Sequence, residues 1–120
     1  MDLTPEDLTP DRFEELVADA LDGLPDWVHQ RLENVDVVVA ERPPPGQPTL
    51  LGLYEGIPLT RRGSNYFGVL PDRITLFRSS ISRGVRTEAQ LRARIRHTVV
   101  HEIAHFFGIS DERLIELDRY

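Results

Sequence analysis

His101-Glu102-Ile103-Ala104-His105-Phe106-Phe107-Gly108-Ile109-Ser110-Asp111 is the stretch from which the rest of this chain is read. On a helix, residues four apart lie one above the other, so His101 and His105 present two imidazoles to one point. Glu102 is rotated about 100° from His101 around the axis, where it reaches a water beside that point without joining the ligands. Gly108 accepts the left-handed backbone that ends a helix, and the resulting turn brings Asp111 back toward the histidines. Two imidazoles and a carboxylate form a donor set that zinc accepts with its fourth position open, as metal-assisted hydrolysis requires. By this chain's own residue frequencies, H-E-x-x-H arises by chance in about one such chain in a hundred. Adding Gly at plus three and Asp or His at plus six lowers that to about one in ten thousand. The spacing therefore predicts zinc held by His101, His105 and Asp111, with Glu102 as the catalytic base. Glu112 and Glu116 stand as alternative third ligands, and capping of a following helix is the competing role for Asp111.

Upstream, Thr87 with Gln90 forms a capping box, and Leu91, Ile95, Val99 and Ile103 recur at helical spacing. A helix from Thr87 to Phe107 is about 30 Å long and carries the histidines at its C-terminal end. His97 lies four residues before His101 but about 12 Å along the axis from His105, so the three cannot share one ion. His97 reads as a core residue or as hydrogen-bond support for a ligand, and His29 as surface. Asp11 to Leu24, bounded by Thr9-Pro10 and Gly23, has the apolar stripe of a first helix. Pro25 opens a short second helix through Trp27 and Leu32, with Trp27 read as a core anchor. Val35–Ala40, Thr49–Tyr54 and Arg73–Arg78 read as strands, the last alternating Ile74 and Leu76 with Thr75 and Phe77. Residues 43–48 are a stiff proline loop, and a Gly-containing loop joins the second and third strands. Ser110 or Asp111 caps a final helix through Leu114 and Leu117. Tyr54 and Tyr66 read as packed rings with solvated hydroxyls rather than oxyanion donors. These elements predict one α+β domain over residues 1–120, with helices packed on a small twisted mixed sheet.

With Leu53-Tyr54-Glu55-Gly56-Ile57-Pro58-Leu59-Thr60 and Tyr66-Phe67-Gly68-Val69-Leu70-Pro71-Asp72-Arg73-Ile74, the chain resembles the zincin-like metallopeptidases, specifically small bacterial proteins once grouped as a domain of unknown function. The x-x-G-x-x-D tail is similar to the metzincin branch that takes Asp as its third ligand. The resemblance implies a minimal zincin-like fold with the H-E-x-x-H helix near the C-terminus, and peptide-bond hydrolysis in which Glu102 activates water at zinc on His101, His105 and Asp111. Metzincins place a methionine turn beneath the metal. Here the sole methionine is Met1 and nine residues follow Asp111 (120 less 111), so a protein partner is expected to complete the cleft. An extended peptide or protein substrate is expected to pair with the strand Arg73–Arg78. The alternative is a zinc-binding protein whose metal is structural and whose surface serves protein interaction.

Composition limits the remaining classes. A chain of 120 residues, 40% of them hydrophobic, buries one modest core. The absence of cysteine excludes disulfides and thiolate zinc. The acidic start lacks the basic and apolar regions of a signal peptide, and no apolar run has the length of a membrane span, so a cytoplasmic protein off the membrane is expected. Residues 1–41 hold twelve acids and two arginines, whereas residues 42–120 hold eight acids and twelve arginines, which sums to the net −6. The acidic third is available to neutralise the arginines between Arg73 and Arg96, which lack interleaved aromatics, so nucleic acid is not expected as a partner.

Overall fold

Thr9 starts the first helix, its hydroxyl accepting from the Arg12 backbone N–H at 3.1 Å while Pro10 fills a position that needs no donor. The computed structural model describes residues 2–4, 8–32, 34–58 and 72–113. In it α1 (Pro10–Asp22) and α2 (Asp26–Arg31) precede β1 (Val35–Ala40), β2 (Gly52–Glu55) and β3 (Asp72–Phe77), followed by α3 (Arg78–Ser82) and α4 (Glu88–Phe106). Tyr66 and the expected helix beyond Arg113 lie outside the described residues. The architecture is α+β.

The three strands form a mixed sheet in the order β1-β3-β2. β3 pairs parallel with β1, Val37 opposite Ile74, and antiparallel with β2, Tyr54 opposite Ile74. Two expectations fail on this point. A central strand has both edges hydrogen-bonded, so the strand expected to receive a substrate peptide has no edge to offer it, and among the described residues the outer strands are β1 and β2. Nor does β3 alternate in exposure: Ile74, Thr75, Leu76 and Phe77 are all buried, as in a strand covered on both faces.

Arg78, expected as the last strand residue, instead begins α3. Its guanidinium reaches both Glu41 oxygens, at 2.8 and 2.7 Å, and the Leu8 carbonyl at 2.7 Å, which ties the end of the sheet to the approach of α1. Ser80, buried in α3, donates to the Pro48 carbonyl at 3.3 Å and thereby anchors the proline loop.

α4 lies across the sheet. Thr87 accepts from the Gln90 N–H at 3.1 Å while the Gln90 side chain receives the Thr87 N–H at 3.3 Å, closing the expected capping box. Leu91, Ile95, Val99 and Ile103 are buried with Phe13, Leu16 and Val17 of α1 and Ile74 and Leu76 of β3. Each such aliphatic side chain contributes roughly 1.5–3 kcal/mol by leaving water, so this stripe fixes the rotation of α4 and the direction in which its histidines face. Arg92 pairs with Asp19 at 3.1 Å across α4 and α1, an instance of the acidic third neutralising a later arginine. Trp27 is not a core anchor. It is 61% exposed, and its ring meets Phe107 at a centroid distance of 5.9 Å. Among the described residues no helix is long and apolar enough to cross a membrane.

Candidate metal centre

The site is built by the way α4 stops. Phe107 is the C-cap, and Gly108 follows with φ of 87°, the conformation that glycine adopts most readily. The Gly108 N–H donates to the His105 carbonyl and the Ile109 N–H to the Ala104 carbonyl, both at 2.9 Å, which is the double closure of a Schellman motif. This closure sets the Ile109 carbonyl against His105 Nδ1 at 2.9 Å. A carbonyl only accepts, so Nδ1 carries the proton and the lone pair of His105 lies on Nε2, the orientation of a metal-binding imidazole.

Nε2 of His105 and Nε2 of His101 stand 3.0 and 2.9 Å from one atom, Oδ1 of Asp111. The two imidazole rings are 4.8 Å apart by centroid and nearly perpendicular, at 84°. Ser110, not Asp111, caps the turn that begins at Asp111, its Oγ accepting from the Arg113 N–H at 3.2 Å. The aspartate side chain is thereby left to the histidines. Donors around one tetrahedral zinc at about 2.1 Å stand about 3.4 Å apart, so the two contacts need to open by only about half an ångström to share an ion. The donor set and its spacing fit zinc.

Glu102 occupies the same locus differently. One donor atom from each of His101, Glu102 and His105 lies within 4.8 Å of the others, so the two imidazoles have a carboxylate in Glu102 as well as the one that Asp111 brings to them. They differ in setting: Asp111 is 70% exposed on its side chain, whereas Glu102 is 6% exposed overall. Burial holds the Glu102 carboxyl above the ordinary carboxylate range, partly countered by His105 and His101 and by the Tyr54 backbone N–H that donates to it. The close fit of β2 beneath α4 creates that burial. A Cβ on Gly52 would stand 3.0 Å from both Glu102 Cγ and Thr98 Cγ2.

Tyr54 does more than pack. Its ring meets Phe106 edge-on at 6.0 Å, and its hydroxyl donates to Oδ2 of buried Asp72 at 2.6 Å rather than to solvent. Asp72 carries no signal in the sequence; only the strand register brings it beneath Tyr54. His97 also departs from expectation. It is exposed, with its ring 6.0 Å from that of His101, and it lines a cavity of about 450 Å³ between residues 46–52 and the α4 face of Thr98, His101 and Glu102. The proline loop is therefore a wall of the cleft, a role that its composition does not reveal.

Fold and site together define an α+β protein with a candidate metal centre, its donors gathered at the end of one helix. The family model for zincin-like metallopeptidases matches residues 32–120, and the chain belongs to that family. It is similar to a conserved hypothetical protein of solved structure from Thermus thermophilus, with 27% identity and a TM-score of 0.59, over 83% of this chain and 94% of that one. No curated protein matches it.

Proposed function

We propose that this chain is a zinc-dependent peptidase in which His101, His105 and Asp111 hold the metal and Glu102 is the general base. One observation carries the proposal: a carboxylate that is buried, raised in pKa and fixed by the Tyr54 N–H stands beside two imidazoles and opens on a cavity large enough for peptide residues. Zinc, when bound, supplies the Lewis acidity that acidifies water and polarises a scissile carbonyl. Glu102 takes the proton of the attacking water and returns it to the departing amine nitrogen. Its raised pKa makes it a better proton acceptor than an ordinary surface carboxylate. The substrate strand is placed alongside β2, whose Gly52 lines the cavity.

A second reading has an observation of its own. Asp111 links the exit turn back to both histidines, so a metal there can staple the end of α4 with no turnover. Incubating zinc-loaded protein with a mixed peptide library separates the two. Peptidase activity predicts cleavage that is blocked by a chelator and reduced at least about a hundredfold in Glu102→Gln, while metal analysis finds zinc retained by the variant. Undiminished cleavage by Glu102→Gln removes the assignment of the base. Silence of the zinc-loaded wild type favours the structural metal.

A further inference from the structure

Toward the N-terminal end of α4 a second cavity, of about 150 Å³, neighbours the one beside His101 and Glu102. The two share Pro48 and Thr49 in their walls, and the second is lined further by Ser80, Arg83 and Arg94. The two arginines of this second cavity differ from three others on the surface. Arg12, Arg78 and Arg92 each pair with a carboxylate. Arg94 instead donates to the carbonyls of Ile81 and Arg83, at 3.1 and 2.6 Å, and Arg83 is exposed with no carboxylate on its side chain among the described residues. In a chain of net charge −6, the second cavity therefore keeps two guanidinium groups that make no contact with a described carboxylate.

We infer that the cleft selects acidic peptides, with an Asp or Glu side chain of the substrate seated against Arg83 and Arg94. This inference rests on the peptidase reading for the position of the scissile bond. Arg94 precedes His101 by seven residues, about 10 Å of helix, which an extended peptide covers in about three residues. The acidic side chain thus falls about three residues from the bond to be cut. Nucleic acid fits the same charges less well, because among the described residues neither cavity is lined by Phe, Tyr or Trp on which a base can stack.

The test uses the zinc-loaded Glu102→Gln protein, which holds peptide without turnover, and three fluorescein-labelled dodecapeptide mixtures with paired Glu, Ala or Lys fixed at one position. Fluorescence anisotropy at low salt should show the Glu mixture bound about fivefold more tightly than the Ala mixture and the Lys mixture most weakly, with the preference shrinking as salt rises. Adding Arg83→Glu, an exposed change that leaves the Arg94 hydrogen bonds to backbone in place, should abolish or invert the order. Equal binding of the three mixtures, no binding of any, a preference unmoved by Arg83→Glu, or tighter binding of oligothymidylate than of the Glu mixture overturns the inference. Acid-selective binding with no hydrolysis by the wild type removes the peptidase reading alone. Hydrolysis by the wild type without acid selectivity removes this inference alone.

Discussion

The two ends of α4 are built to different purposes. At the N-terminal end the sequence signals are met locally: Thr87 and Gln90 close the capping box, Leu91 and Ile95 are 1% and 0% exposed in the core, and Arg92 pairs with Asp19. At the C-terminal end a carboxylate is buried, two imidazoles are left half-exposed, and the helix stops in a turn that serves His105. The first end serves packing and capping alone among the residues named, whereas the second carries the polar groups of the candidate metal centre beside its own core residues Ile103 and Phe106.

Four changes sharpen or break this contrast. Ile95→Ala removes a fully buried side chain from the stabilising end and should cost about 2–5 kcal/mol in denaturant unfolding, while zinc content of the folded fraction stays at wild type. A loss of zinc from that folded fraction would show that the two ends are not separable. Gly108→Ala forces a side chain into left-handed backbone and should cost about 1–2 kcal/mol. Because the turn orients His105 through the Ile109 carbonyl, the same change should weaken zinc binding about tenfold in a competition assay, which a purely structural glycine would not do. Thr87→Ala, at the other terminus, should lower stability by about 1 kcal/mol and leave zinc affinity unchanged.

The smallest effect is a gain. With a chelator present, Glu102→Gln should raise the melting temperature at neutral pH. Burial holds the Glu102 carboxyl above its ordinary value, so on raising the pH the unfolded chain ionises first and the native protein loses stability between the two values. The advantage of the Gln variant should therefore grow as pH rises from the ordinary carboxylate value toward the raised one, and vanish below both. A Gln variant that melts lower at neutral pH would mean that the Tyr54 N–H and the histidines outweigh the cost of burial.

What is legible in the sequence divides along the same helix. α1, β1 and α4 follow from signals within a few residues of one another: Thr9-Pro10, a run of valines, and the Thr87 box with its apolar stripe. The convergence of His101, His105 and Asp111 is legible for the same reason, since spacing of four and a glycine turn are local geometry. Contacts between distant segments are not. Trp27 reads as core because a large aromatic usually is, but α2 has six residues, and the ring rests on Phe107 with most of its surface in water. The pattern of Ile74 to Phe77 suggests alternation because no local signal reveals that a strand has neighbours on both sides. Arg78–Ser82 gives no helical signal; the segment is short and owes its place to Arg78 on Glu41 and Ser80 on Pro48. His97 points to the core by its place in the helix, and only the loop at 46–52 makes it a wall of the cleft.

Gly52 carries this division into how the site assembles during folding. The candidate metal donors lie within one short segment, which can gather them as soon as α4 and its exit turn form. The surroundings of Glu102 exist only after β2 has docked with its side-chain-free residue against the helix. Order in time thus separates two capacities. On the proposed reading, the donors of the metal could gather before the sheet closes, while the carboxylate that would serve as base stays hydrated until it does. A larger residue at position 52 would press on Glu102 Cγ and Thr98 Cγ2 and hold β2 away from the helix, leaving Glu102 in water.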